Sequence, residues 1–392
     1  MATRRGNGEG NVRFNNGRYE ARLRYTDPLT GQSKRASVYG PTAKAARDAL
    51  KQLRERLENG QPARDSAQTV GAWLTRWREV SLQASTRKES TKQLYGTLCR
   101  LHLETPPFGD IRLDRLRPSD VEALVLRMRQ ATKPAKTPDA DRVRAFSDST
   151  IRQTFGVLRA GLDGAVRDGL LARNPAAQVQ RPGVERVEAR HLDADDVARV
   201  LSAAASSRYH PALMLIATTG LRRGEALGLK WSEVDLDAGV LTVRGTLARI
   251  RNQLVITEPK TARSRREVPL HPGVVTLLRR HRTAQKQERM RAANKWTDHG
   301  LVFATEHGGP VDPRNLLRVV EVAAKTAGVD GVGVHTLRHS AAVSWLEQGV
   351  HIKAVADLLG HSSIAVTGDV YGHSSDATAR AAVQGLGARL GL

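Results

Sequence analysis

A single cysteine, Cys99, stands among 392 residues. No disulfide can close within such a chain, and cysteine-based zinc sites are excluded. Aromatic residues make up only 4%, too few for a protein that grips single strands by stacking bases on rings. No uncharged apolar run is long enough to span a membrane. The opening MATRRGNGEG carries arginines with no hydrophobic segment behind them, unlike a secretory signal. Acidic residues are scarce too: 40 Asp and Glu face 62 Lys and Arg, a formal net charge of +22. Together these absences lead us to expect a cytoplasmic protein with no membrane partner.

What is present is enough to fold. A hydrophobic content of 40% supports real cores, and the length suits two or three domains. A surplus of positive charge on a foldable chain implies a polyanionic partner, most often nucleic acid. The shortage of aromatics favours the backbone of a duplex over single strands.

Residues 1–64 read as a small unit. In RYEARLRY, Tyr19, Ala21, Leu23 and Tyr25 alternate with Arg18, Glu20, Arg22 and Arg24, the period of a strand with one buried face. Turn signals at NNG and DPLTG separate three short antiparallel strands, and Thr42 starts a helix that ends near Gly60. Such a basic sheet can lie in a DNA groove, with Arg18, Arg22, Arg24, Lys34 and Arg35 expected on one side as DNA-binding residues.

Residues 65–182 read as helices. Trp73, Leu74 and Trp77 fall at helical spacing and suit a core; Leu94, Leu98 and Leu101 form an expected stripe. Ser119 and Glu122 fit a capping box. QATKPAKTPDADRVRAFS reads as a loop, and a further helix starts near Thr150 with Ile151, Phe155, Leu158 and Leu162 inward. A linker then leads into residues 183–392, where Asp193 is a plausible cap, a buried helix turns at Gly220, and strands meet at turns near Arg251 and Lys260. No internal repeat is evident. The fold class is α+β and multidomain: a three-stranded sheet with a helix, a helical domain, and a mainly helical domain with a small antiparallel sheet.

Four places in the last domain carry chemistry. TTGLRRGEALGL puts Arg222 at the start of a helix, where a forked guanidinium and exposed backbone amides suit a phosphate. Glu225, three residues on, can hold that guanidinium, although an arginine paired this way is commonly structural. Lys260, the sole lysine between 231 and 285, sits among Arg263, Arg265 and Arg266; spacing alone leaves open whether it contacts phosphate, is solvated or donates a proton. HTLRH gathers His335, Arg338 and His339, which suits either a metal or a phosphate, and LLGHSSIAVTGDVYGH adds His361 and Tyr371.

In this order, TGLR, a hairpin lysine, HTLRH and LGHSS followed by Tyr371 resemble the tyrosine recombinase, or phage integrase, family across the last 200 residues or so. The two upstream units resemble that family's arm-type and core-binding DNA-binding domains, giving three domains at 1–64, 65–182 and 183–392. The resemblance implies a site-specific integrase of a phage or integrative element, with Arg222, Lys260, His335, Arg338, His361 and the nucleophile Tyr371 as its catalytic set and Glu225 in support. Tyr371 lies ten residues after His361, one more than in many members, a spacing shared by members with Tyr-Gly-His. The resemblance also implies duplex attachment sites of core and arm type, a homotetramer on DNA whose amphipathic tail docks in trans, a four-way junction, and accessory factors that bend DNA or set direction. No cofactor is implied. A metal on His335 and His339 is disfavoured, because Arg338 would repel the cation and no H-E-x-x-H glutamate is present.

A type IB topoisomerase would share the chemistry, and a non-catalytic DNA-binding regulator would share the charge. The separate N-terminal sheet favours an integrase over the first, and Tyr371 beside two arginines and a lysine argues against the second. With a net charge of +22, duplex affinity is expected to fall steeply with salt, with a log–log slope of about −0.9 per phosphate neutralised. Titrating a labelled duplex at several salt concentrations measures that slope, and a value near zero would remove the backbone-contact reading.

Overall fold

The computed structural model describes residues 11–15, 17–26, 33–58, 68–134, 142–185, 190–258 and 265–361, with 363, 364, 367, 368 and 384 beyond them. The DPLTG turn, the helix end near Gly60 and most of the C-terminal tail lie outside the described residues. Two compact units divide the chain, Met1–Arg186 and Val187–Leu392. Among the described residues no helix is long and apolar enough to cross a membrane.

The first unit holds two hydrophobic cores. In the smaller, strands β1 (Asn11–Asn15), β2 (Arg18–Thr26) and β3 (Ser33–Gly40) form an antiparallel sheet in that order. Helix α1 (Ala43–Glu58) covers one face, its Ala46, Leu50 and Leu53 meeting Ala21 and Leu23. Thr42 accepts a hydrogen bond from the Ala45 amide at 3.1 Å and so starts the helix. The other face carries Arg18, Arg22, Arg24 and Arg35, but not Lys34. Lys34 pairs with Tyr25 and shares the parity of Ala36 and Val38, which pack towards the helix. Consecutive strand residues point to opposite faces, so Lys34 and Arg35 cannot both join the basic cluster. On the outer face Glu20, 3% exposed, accepts from Arg22 at 2.8 Å and from Arg13 at 3.0 Å. The Arg22 hydrogen bond is the strongest influence on its carboxyl, which is lowered to about 2 against the opposing effect of burial. Arg18 lies over the Tyr39 ring at 4.2 Å.

The larger core belongs to helices α2 (Val70–Glu79), α3 (Ser81–Ala84), α4 (Glu89–Leu98), α5 (Pro118–Gln130) and α6 (Asp148–Arg167). Trp73, Leu74 and Trp77 of α2 are buried against α6, which offers glycines at the crossing. A Cβ on Gly161 would stand 2.4 Å from Leu74 Cδ2, and one on Gly164 would stand 2.9 Å from Trp77 Cδ1. The Trp73 indole donates to the Gly161 carbonyl at 2.9 Å. Three local expectations change. Leu94, within α4, is 42% exposed, and Leu101 is 61% exposed because α4 runs on as a π-helical turn, Cys99–Leu103. That wider turn rotates Cys99 and Leu103 inward in place of Leu101. Asp120, not the Ser119–Glu122 pair, caps α5 by accepting from the Arg117 amide at 2.8 Å. Helix α6 starts at Asp148 with Ser147 as its cap, and the loop before it includes the short pair β4 (Thr132–Lys133) and β5 (Val143–Arg144). Burial and nearby Glu104 push the Cys99 thiol up to about 12, leaving it a packing residue.

The second unit starts with α7 (Ala194–Ala203), capped by Asp193 accepting from the Asp196 amide at 2.7 Å. Helix α8 (His210–Thr219) is apolar nearly all round and buried. It ends at Gly220, whose left-handed φ of 63° turns the chain into α9 (Arg223–Gly228). A three-stranded antiparallel sheet follows, with β10 (Arg266–Pro269), β7 (Val240–Val243) and β6 (Val234–Asp235) in that order. Beside it, β8 (Thr246–Ile250) and β9 (Gln253–Thr257) form a hairpin whose turn residues Arg251 and Asn252 both have positive φ. Helices α10 (Pro272–Ala292), α11 (Pro313–Thr326), α12 (Val334–Glu347) and α13 (Ile352–Leu359) complete the unit.

The close crossing of α2 and α6 yields a stability prediction. Gly161→Ala forces Leu74 off its rotamer and should cost about 1–3 kcal/mol. A urea-unfolding midpoint equal to that of the unaltered protein would show that the crossing relaxes at no cost.

Candidate active site

Two glycines and one carboxylate organise the basic residues of the second unit. Helix α9 is short, and Gly224 and Gly228 let it lie on the backbone of β8: Cβ atoms there would stand 2.7 Å from Leu247 O and 2.9 Å from Leu247 N. This seats Arg222 at the N-cap of α9 and Glu225 one turn on. Glu225, 5% exposed, accepts from the Arg222 amide at 3.0 Å and from Arg222 Nη1 at 2.8 Å. From the other side it accepts from Arg266 Nη2 at 3.0 Å and Nη1 at 3.5 Å. Burial is the largest influence on its carboxyl and favours the neutral form. Arg266, by charge and hydrogen bond, and then Arg222 outweigh it, so the group is held below its ordinary value.

Backbone carbonyls at two helix ends take further donors. Arg338 on α12, 4% exposed, donates through Nη1 to the Gly220 carbonyl at 2.5 Å and through Nη2 to the Leu359 carbonyl at 2.9 Å. Arg222 Nη2 reaches the Gly360 carbonyl at 3.2 Å, and Arg266 Nε reaches the Leu358 carbonyl at 2.6 Å. These carbonyls close α8 and α13, both of which end at a left-handed glycine, Gly220 or Gly360. The negative end of a helix dipole favours a cation, so both helix ends act as arginine seats.

His361 follows directly. Its Nε2 lies 2.9 Å from Arg338 Nη2 and its Nδ1 lies 2.8 Å from Thr367 Oγ1. Arginine can only donate, so Nε2 accepts, and the ring proton sits on Nδ1 facing the threonine. Burial, then Arg338, Arg222 and Arg266, lower this imidazole to about 4, which keeps it neutral. His335, one turn before Arg338 on α12, is lowered by the packing around its ring and then by Arg223, Arg338 and Arg222. His339 is lowered too, by burial and then by His335 and Arg338.

Two hydrogen-bonded sets, Arg222–Glu225–Arg266 and Arg338–His361, thus meet at the successive carbonyls of Leu358, Leu359 and Gly360, with His335 in their electrostatic field. Lys260 and Tyr371 lie outside the described residues. The basic residues of β2 and β3 belong to the first unit. Among the described residues no group of three or more His, Cys, Asp or Glu could hold a metal ion. What the group can do is bind an oxyanion: Arg222 keeps 37% of its side chain exposed beside two further guanidiniums. Sequence reasoning missed Arg266 and Thr367. The signal for Arg266 was period two, which puts it on the same face of β10 as buried Val268.

Residues 190–378 match the phage integrase family. The chain is 27% identical to a "Tyrosine recombinase XerC-like" protein of Caldanaerobacter subterraneus, over 88% of this chain and 89% of that one. It is also 27% identical to an integrase of Streptomyces ambofaciens, over 95% and 94% of the two chains. Among solved structures it is similar to the Tn1549 transposon integrase in complex with transposon right end DNA, with a TM-score of 0.66 and 23% identity over 81% of this chain and 99% of that one. A lambda integrase tetramer bound to a Holliday junction gives 0.57 and 20% over 95% and 99%. At these identities the solved structures establish the fold.

Acid should undo the site. A histidine whose folded value is depressed contributes stability that is full above its ordinary value and is lost as pH falls towards the folded one. For His361 that window runs from 6.5 down to about 4. Melting temperature is therefore expected to fall across it, and His361→Asn should flatten the slope, leaving the share of the other histidines that burial lowers: His335, His339, His281, His210 and His102. Equal slopes for both proteins would rule out the linkage.

Proposed function

Because the chain belongs to the tyrosine recombinase, or phage integrase, family, we infer that it cuts and rejoins duplex DNA at specific sites of a phage or integrative element. The observation that carries this reading is the oxyanion site: Arg222 and Arg338, held in fixed geometry beside a neutral His361. Tyr371 attacks a DNA phosphorus; the bond from its oxygen to phosphorus forms as the bond from phosphorus to the 5′-oxygen breaks. The products are a 3′-phosphotyrosine and a free 5′-hydroxyl. Arg222 and Arg338 stabilise the charge that builds on the non-bridging oxygens. Lys260 protonates the leaving 5′-oxygen and His335 assists proton transfer at Tyr371. His361 hydrogen-bonds the phosphate once DNA draws Arg338 away from Nε2 and the ring proton moves to that nitrogen. The covalent link conserves the bond energy, so rejoining needs neither ATP nor a metal.

Residues 183–392 perform this step, residues 65–182 hold core-type DNA, and residues 1–64 bind arm-type sites through the outer face of the sheet. Support for the last assignment comes from Arg24 and Arg35, which stand directly opposite each other there. Like charges so placed repel, and a polyanion relieves the repulsion. Four protomers exchanging strands in pairs through a four-way junction complete recombination, in the cytoplasm, with factors that bend DNA or set direction as partners.

A suicide duplex, nicked near the cleavage point, tests the chemistry on a denaturing gel. Tyr371→Phe removes one oxygen and is expected to abolish the covalent adduct while leaving duplex affinity unchanged. Arg338→Ala should slow adduct formation by about 10²–10³-fold, the loss typical of one charge-stabilising donor. Adduct at the wild-type level from Tyr371→Phe would sink the assignment of the nucleophile.

A further inference from the structure

Arg266 has no part in the chemistry above, yet it is the more deeply buried of the two arginines on Glu225, 7% exposed against 37% for Arg222. Its guanidinium is held on two sides, by the Leu358 carbonyl at 2.6 Å and by the carboxylate at 3.0 Å. It lies against Gly360, where a Cβ would come within 2.6 Å of Arg266 Nη1. The strand β10 that carries it is antiparallel to β7, Arg266 opposite Val243, and so fixed in register.

The charges of the site show what this arginine contributes. Arg222, Arg266 and Arg338 carry three positive charges, Glu225 one negative, and His361 none. With Arg222 as the sole partner of Glu225, the pair would be neutral and Arg338 alone would face a phosphodiester. A phosphodiester gains negative charge on its way to the transition state, so a weakened positive field would act on the step rather than on the initial grip. A carboxylate shared between two arginines can orient Arg222 without cancelling it.

We propose that Arg266 is a positioning residue of the reaction: it compensates the charge of Glu225, so that this carboxylate aims Arg222 at the phosphate without neutralising it. The same guanidinium, through the Leu358 carbonyl, ties β10 to the end of α13 that carries His361. The inference rests on the reading of Arg222 and Arg338 as the phosphate-binding pair.

The test compares rates of adduct formation on the nicked duplex by the full-length protein. Arg266→Met is expected to slow the step by about 10- to 100-fold, the range for groups that orient a ligand from behind, with duplex affinity unchanged. Arg266→Lys, which keeps the charge, should retain most of the rate. The deciding protein is Arg266→Met combined with Glu225→Gln: removing both charges should make it faster than Arg266→Met alone. A wild-type rate in Arg266→Met, or a folded double variant no faster than the single one, overturns the proposal and leaves Arg266 a structural pin. Should Arg266→Met lose its thermal transition, Arg266→Lys and the double variant carry the test, and failure of both to form adduct overturns it. Absence of adduct from the unaltered protein, or its presence in Tyr371→Phe, would instead strike at the reading of the site itself.

Discussion

The carboxylate of Glu225 is the constraint on which the arginine cluster of the second unit depends. Buried beside Arg222 and Arg266, it is a negative charge that both guanidiniums contact directly. Taking a carboxylate out of water is costly unless it is paired and hydrogen-bonded. Here it accepts from two guanidiniums and from the Arg222 amide, so burial does not drive it to the neutral form. Its position is set by contact between glycine-bearing α9 and the backbone of β8, which leaves no room for a larger residue at 224 or 228. Packing therefore fixes a charge, and the charge fixes the arginines.

Backbone completes what the carboxylate begins. Arg338 is buried, and the carbonyls that close α8 and α13 meet its charge. The left-handed conformations of Gly220 and Gly360 point those carbonyls at the arginines. A helix end supplies partial charge without a titrating group, so the site keeps its positive surplus over a wide pH range. His361, whose ordinary value lies near neutrality, is kept uncharged there by burial and by the arginines themselves.

The N-terminal sheet uses the same device at its surface. Glu20 gathers Arg13 and Arg22 as Glu225 gathers Arg222 and Arg266. The outer face is thereby ordered but not neutralised, since Arg18, Arg24 and Arg35 add to it. Arg18 is steadied by the Tyr39 ring. Both units hold cationic side chains in place with fewer anions than cations, which is how a strongly basic chain can present an organised surface to a polyanion.

Much of this was legible from residues close together in the chain. The alternation of β2, the core role of Trp73, Leu74 and Trp77, the caps at Thr42 and Asp193 and the turn at Gly220 depend on neighbours within a few positions. So does the contact of Arg222 with Glu225, three residues apart. Period two also separates Lys34 from Arg35, although a count of basic residues had placed them together. The π-helical turn that buries Leu103 and exposes Leu101 has no local signature, because a widened turn is selected by the packing it permits. Nor could any window of sequence reveal that Arg266 reaches Glu225 across 41 residues, Arg338 the Gly220 carbonyl across 118, or Arg222 the Gly360 carbonyl across 138. The sequence by itself determined which side chains carry charge and which faces seek a core; only the tertiary structure decided which arginines share one carboxylate, because that depends on where distant helix ends and a strand edge meet.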